Sequence, residues 1–435
     1  MSALTAKSPI PSFVPSVFLD APQLNHAGQP GWFIASQQQA WENFTGLAMP
    51  GRKDQNWRFA SLAELQFDAF KRLPGGEAPA FSGLEKTAAR VVTVNDEVIS
   101  AQCPVLGGDV EVLSLADALA KHGERLRELL VTPDTKLGGA KFAALNHAQI
   151  RDAVVVVVPG DVEFAAPVDI EHWLSGENAS SFPRTIILAG ACSKVTVVEY
   201  HLTANGDAGL SCGAAQVIAA QGAKVSYILL NRHNSASKAL HFSTLRCERD
   251  SQVKHATFNL GTGYVRSEAL SLIAGEGSRS DMLSVTLASA GQEVDQRTLQ
   301  DHLAPRGSSD LLYKNVLFGD AKTIFAGLIR VDHGAHFTDA YQKCRNLLLS
   351  DDCEANSMPG LEINADQVKC SHGCTSGRLS DEEVFYFQSR GITRQSAEHM
   401  ISMGFTMEVV ARLEDDAVET MLLRQIEERF VELEQ

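Results

Sequence analysis

From Asp152 onward the chain is written in short apolar runs. Val154–Val158 is β-branched throughout. Thr185–Leu188, Lys194–Tyr200, Ala215–Ala219, Lys224–Leu230, His241–Cys247, Gln252–Leu260, Ala269–Ile273 and Met282–Leu287 follow, most of them bounded by Gly, Asp, Asn or Ser. Runs of this length and punctuation predict strands. No helical pattern of crossover length separates them, which argues against a doubly wound α/β sheet. The strands also carry a weak repeat, in which a small residue, one further residue and a strand start recur. It reads Ser193-Lys-Val, Ala223-Lys-Val, Ser251-Gln-Val, Ser278-Arg-Ser, Ser308-Ser-Asp and Ala321-Lys-Thr, at intervals of 30, 28, 27, 30 and 13. A spacing near 28 with a final half-step predicts one corner revisited on each coil of a β-solenoid, with two or three short strands per coil. A β-sandwich also satisfies strands joined by turns, but the repeat favours the solenoid.

Both flanks read differently. In residues 1–150, Phe33, Trp41, Phe44 and Leu47 fall at helical spacing, and Leu115–Leu130 and Phe142–Asn146 also read as helix. Arg90–Val94 reads as a strand, Trp57 as a core anchor and Ser61 as the cap of a short helix. Residues 1–30, rich in Pro and Ala and without a period, read as an extended arm. After residue 377 the helical pattern returns. Ser380-Asp-Glu-Glu383 is a capping box for Glu382–Arg390, closed by Gly391, and Thr393 caps Gln395–Met403, closed by Gly404. Ala417–Leu433 carries Met421, Leu422, Ile426, Phe430 and Leu433 as an apolar stripe, suited to packing within the domain or to a partner. The expected organisation is a mainly helical region over 1–150, a β core over 151–377 and a helical domain over 378–435.

Composition narrows the function. The net charge of −15 argues against nucleic-acid binding through a broad basic surface. From Arg378 to the end, thirteen Asp/Glu against six Arg leave −7, a solvated helical surface or an acidic docking face. The longest apolar run, Ala153–Pro159, is far short of the roughly 20 residues of a membrane span. No signal peptide is visible, so the eight scattered cysteines are expected to be reduced thiols in a cytoplasm. There is no G-x-x-x-x-G-K-[ST], no G-x-G-x-x-G opening a helix and no G-x-S-x-G elbow. Asp295 and Asp301 could serve a solenoid carbohydrate-active enzyme, but no pairing is evident from spacing.

The metal-loving residues gather in 340–375, which ends in Cys370-Ser-His372-Gly-Cys374. On an extended strand these three side chains share a face. Residues i and i+4 are about 13 Å apart on a strand, whereas metal–ligand bonds are about 2.0–2.3 Å. One ion could therefore bridge Cys370 and His372 but not all three, and no second C-x-x-C or H-x-x-x-H completes a closed site. His333 and His336 are the nearest other pair, more ordinarily structural or solvent-facing.

Several words of this chain resemble the SufB/SufD family of the SUF iron–sulfur cluster assembly system. They are Lys314–Phe318, Thr338–Asp352 (TDAYQKCRNLLLSDD), Pro359-Gly-Leu-Glu-Ile363, Ala365-Asp366, Val368–Gly373, Phe385-Tyr386 and Ser389-Arg-Gly-Ile392. The close resemblance covers about 315–405, and Asn56–Leu62 (NWRFASL) is similar to a weaker N-terminal family motif. It implies a right-handed parallel β-helix core between N-terminal and C-terminal helical regions. It implies a scaffold rather than an enzyme, working in a complex with SufB and the ATPase SufC. The core would pair with SufB edge to edge, the C-terminal helices would dock SufC, and a homodimer could form without SufB. No nucleotide would be bound by this chain, and flavin is left open. His372 would contribute to a transient iron–sulfur site at the SufB interface, with Cys370 beside it. Ile363 stands where SufB has a cysteine and Gly373 where SufB has Glu, which places the chain on the SufD side rather than making it a SufB-like cluster and persulfide scaffold. Cys374 stands where the family commonly has Ala and is doubtful as a ligand; Cys353 is likewise atypical.

Overall fold

The computed structural model describes residue 22 and residues 29–102, 110–133, 136–289 and 291–433. Most of the N-terminal arm, and Cys103, lie outside the described residues. The architecture is mainly β, a solenoid flanked by helices.

The first strands are β1 (Ala89–Val94), β2 (Glu97–Gln102), β3 (Glu111–Leu113), β4 (Val154–Val158), β5 (Val168–Leu174), β6 (Ala179–Ser181) and β7 (Arg184–Ala189). The regular coils follow: β8 (Lys194–Thr203), β9 (Gly209–Ala219), β10 (Lys224–Arg232), β11 (Lys238–Cys247), β12 (Gln252–Asn259), β13 (Tyr264–Ile273) and β14 (Arg279–Ala288). The last are β15 (Glu293–His302), β16 (Ser308–Leu317), β17 (Lys322–Val331), β18 (Asp339–Leu348), β19 (Glu354–Ile363) and β20 (Lys369–Arg378). The strands form two ten-stranded sheets, ordered β2-β1-β5-β8-β10-β12-β14-β16-β18-β20 and β19-β17-β15-β13-β11-β9-β7-β4-β3, with β6 paired to β9 in the second, and from β7 on successive strands alternate between them. From β8 on, each coil contributes one strand to each sheet and all pairs are parallel.

The corner repeat has a physical basis. Cys192, Gly222, Asp250 and Gly277 all have positive φ, and each precedes the small residue that opens a strand. At three of these corners the small residue is a serine whose hydroxyl donates to the carbonyl three residues back, Ser193 to Gly190, Ser251 to Glu248 and Ser278 to Gly275, each at 2.7 Å. Lys194, Lys224, Gln252, Arg279 and Ser308 are stacked in register, so Ser308 sits one residue past its expected corner. Ala321 opens β17 in the opposite sheet, which accounts for the half-step.

Most strands are buried on both faces because helices cover the sheets. The N-terminal helices are α1 (Gly31–Gly46), α2 (Leu115–Leu126) and α3 (Ala140–Gln149). Phe44, Trp57, Phe67 and Phe142 of this region pack on Leu210, Leu240 and Phe242 of one sheet. Trp57 is the expected core anchor: Arg266 stacks over its ring at 3.7 Å, and its Nε1 donates to the Gly138 carbonyl. The hydroxyl of Ser61 donates to Glu293 instead of capping the short helix that follows. The C-terminal helices are α4 (Asp381–Gln388), α5 (Arg394–Val410) and α6 (Asp416–Leu433). Val409, Val418, Met421, Leu422, Ile426 and Phe430 pack on Val198, Ile228, Phe258 and Leu283 of the other sheet. The apolar stripe of α6 is therefore spent within the molecule. Ser380 and Thr393 cap as expected, but α5 runs through Gly404, because the turn beyond it buries Thr406, Val409 and Val410.

Between the sheets lies an inner core of Val, Ile, Leu and Ala, including Val156, Ile187, Val197, Val217, Val225 and Leu229. Beside it runs a polar column of in-register positions: His172, His201, Asn231, Asn259, Thr286, Asn315, Asn346 and Ser376. Asn231 Nδ2 donates to Asn259 Oδ1 at 2.9 Å and Asn259 Nδ2 to Thr286 Oγ1 at 3.2 Å. Asn315 Nδ2 donates to Asn346 Oδ1 at 2.7 Å and Asn346 Nδ2 to Ser376 Oγ at 2.9 Å. Such stacking gives buried amides partners that no water need supply.

Candidate functional site

Among the described residues, nothing covers the last coil of the solenoid. β19 and β20 are the outermost strands of their sheets, and most of their residues are exposed or half-buried. On β20, Cys370, His372 and Cys374 are in register with the buried residues Ala340, Gln342 and Cys344 of β18. All three thus continue the inward-facing side of the sheet, at the point where no further coil closes over them.

Their surroundings differ. Cys370 is half-buried against Ile329, Val331, Ala335 and Ala340, and burial pushes its thiol up. Cys374 is half-buried in the cluster that holds Cys344 and Phe325; the Cys344 thiol beside it is the main cause that brings its thiol down to about 7. His372 is exposed, between exposed Ser371 and Gly373. β20 stays extended from Lys369 to Arg378, so neighbours on its inner side are about 6–7 Å apart. That spacing leaves Cys370, His372 and Cys374 as separate donors on the inner side of an open end. Ile363 closes β19 on the same uncovered end and is also exposed.

Other sequence candidates resolve as structural. His333 and His336 lie in the exposed turn between β17 and β18, where His336 Nδ1 accepts from the Asp366 amide. Asp295 is paired with Arg266 and Arg297, and Asp301 with Arg330 and Lys136. Neither carboxylate is placed as a free acid or base. The seven described cysteines are free thiols. No described helix is long and apolar enough to cross a membrane.

A second polar cluster, unnoticed in the sequence, sits inside the first coils. His172, Glu199 and His201 are buried with one ligand atom each, all within 4.8 Å of one another. Burial works against the Glu199 charge, but the two imidazoles beside it prevail and hold its carboxyl well below the usual carboxylate range. The Tyr227 hydroxyl donates to Glu199 Oε2 at 3.0 Å. His233, His241 and His255 line the same interior, and burial pushes their imidazoles down to about 3, 3 and 4. The signal for this cluster was the coil length itself. His172 and His201 are 29 residues apart and stack in register, as do Tyr227 and His255 at 28.

A parallel solenoid with helical cover on both sheets and thiol and imidazole side chains at its open end defines a β-solenoid protein with an exposed donor edge. Residues 172–405 match the family described as SUF system FeS cluster assembly, SufBD core domain, and the chain belongs to that family. It is 28% identical over 402 residues to the iron–sulfur cluster assembly protein SufD of Escherichia coli, covering 90% of this chain and 92% of that one. It is 25% identical over 414 residues to SufD of Bacillus subtilis, covering 92% and 94%. It is also 25% identical over 401 residues to the SufBD family protein slr0076 of Synechocystis, covering 87% of each.

Proposed function

We propose that this chain is the scaffold subunit of a SufB–SufC–SufD complex that assembles iron–sulfur clusters in the cytoplasm. Its role is to present His372 at the SufB interface, with Cys370 beside it. The observation that carries this reading is the uncovered end of the solenoid, where His372 is exposed between two half-buried thiols on an edge strand. An edge strand has unpaired N–H and C=O groups and is a template for pairing with a second sheet. Edge pairing of two such solenoids brings their last inward-facing side chains into one shared space. The iron and sulfide of the nascent cluster are cargo, and imidazole and thiolate are the donors iron takes. One donor from this chain holds the cluster lightly enough for transfer. ATP hydrolysis belongs to SufC, docked on the C-terminal helices, and its movement would open the shared space.

The test is His372→Ala in the full chain, co-expressed anaerobically with SufB and SufC. Cluster formed on the purified complex, read by its visible absorption, is expected to fall several-fold while size-exclusion shows the complex intact. Unchanged cluster formation on an intact complex removes His372 from the mechanism.

A further inference from the structure

We propose that the interior of the first coils holds a site for one divalent first-row transition ion of the zinc or ferrous class, with His172 Nε2, Glu199 Oε1 and His201 Nε2 as ligands. The site does not depend on the reading of the open end. From β8 to β20 are six strand steps, about 29 Å at about 4.8 Å per step.

The geometry points to a ligand, not to a closed hydrogen-bond network. Glu199 Oε1 lies 2.8 Å from His201 Nε2 and 3.5 Å from His172 Nε2. Tetrahedral bonds of 2.0–2.1 Å place neighbouring ligand atoms about 3.4 Å apart; the His172 separation already matches, the His201 separation is shorter, and no two ligand atoms are more than 4.8 Å apart, so side-chain shifts of about an ångström admit an ion. The far nitrogens are already engaged: His172 Nδ1 by the Thr93 hydroxyl at 2.8 Å and His201 Nδ1 by the Ser211 hydroxyl at 3.2 Å. Partners on the remote nitrogen fix which nitrogen faces the metal and how the ring is turned. A simple buried pair accounts for His201 and Glu199. It leaves His172 Nε2, a buried nitrogen without a hydrogen-bond partner, aimed at the same carboxylate. An ion between the three side chains would give this nitrogen the close partner that the 3.5 Å contact does not.

The donor set also selects the ion. Two imidazoles and one carboxylate without sulfur suit zinc or ferrous iron better than copper(I), and calcium or magnesium would call for more oxygen. Three protein ligands leave a fourth position open. A small cavity lined by Thr93, Asp96, Val98, Asp152 and Arg184 reaches His172.

Cobalt(II) is the probe, added to the chelator-stripped full-length chain. One equivalent is expected to give visible d–d bands without a sulfur-to-cobalt charge-transfer band, and zinc is expected to displace it. His201→Gln should abolish the bands. Thr93→Val, which spares every ligand, should weaken binding about tenfold or more, with circular dichroism confirming the fold of each variant. If His201→Gln does not fold, the near-isosteric Glu199→Gln takes its place. His372→Ala and Cys370→Ala should leave the bands unchanged. The proposal is overturned if no d–d bands form, if bands persist in folded His201→Gln or Glu199→Gln, or if they carry sulfur charge transfer and vanish in Cys370→Ala.

Discussion

Cys374 owes its chemistry to a neighbour 30 residues earlier. Cys344 is its register partner on β18 and is fully buried. The Cys344 thiol beside it favours the thiolate on the more exposed sulfur, and Ser357 adds a smaller effect in the same direction. Cys344 itself is pushed up by the same contact and by burial. Alkylation of Cys374 is therefore expected to rise with pH through a midpoint near 7. Cys344→Ala should move that midpoint back toward the ordinary thiol value of about 8.5. Mass-spectrometric labelling across a pH series measures both, and a midpoint unaffected by the Cys344 change rules out the pairing. The sequence placed Cys370, His372 and Cys374 on one face of a strand, and the register bears that out. It could not show Cys344 beside Cys374, because a contact across coils becomes visible only when the coil length is applied to interior positions. The same blindness hid His172 above His201.

At the level of elements, the starts of β8, β10 and β12 are legible from the corner repeat, whereas strands of the other sheet start before their apolar text. The β-branched run Val154–Val158 coincides with β4 from end to end, because such a run has no competing interpretation. β9 and β11 begin earlier than the apolar text, at Gly209 and Lys238, since Gly-Leu-Ser-Cys-Gly and Lys-Ala-Leu read as turn or neutral sequence. Their strand character comes from being covered by the N-terminal aromatics, a tertiary effect absent from local pattern. Gly404 shows the converse. A helix-ending glycine needs a left-handed conformation, and Gly404 lies inside α5 with no positive φ. A Cβ added there meets nothing within 4 Å. Gly404→Ala should stabilise the protein by about 0.5–1 kcal/mol through helix propensity alone. A rise in Tm is the expected result, and a fall would mean that this turn needs the glycine for a reason outside its packing.

At the scale of the molecule, the helices divide the surface into covered and uncovered parts. N-terminal aromatics close one sheet, α5 and α6 close the other, and the last coils remain bare. Removing residues 380–435 to test a docking role would strip Val409, Met421, Ile426 and Phe430 from the sheet they cover and disturb the solenoid itself. The cleaner probe is α4, whose one buried side chain is Val384. Phe385 and Tyr386 stand 68% and 56% exposed on it, with the Arg390 guanidinium over the Tyr386 ring at 3.5 Å. If α4 receives the SufC ATPase, these aromatics are the anchors, and losing an interface anchor of this kind costs about 2 kcal/mol or more, about thirtyfold in affinity. Phe385→Ser with Tyr386→Ser is expected to weaken SufC capture by at least that factor. Tm and SufB pairing should stay unchanged, since neither residue touches the core or the open edge. Undiminished SufC capture by a folded double variant would place the ATPase elsewhere on the surface.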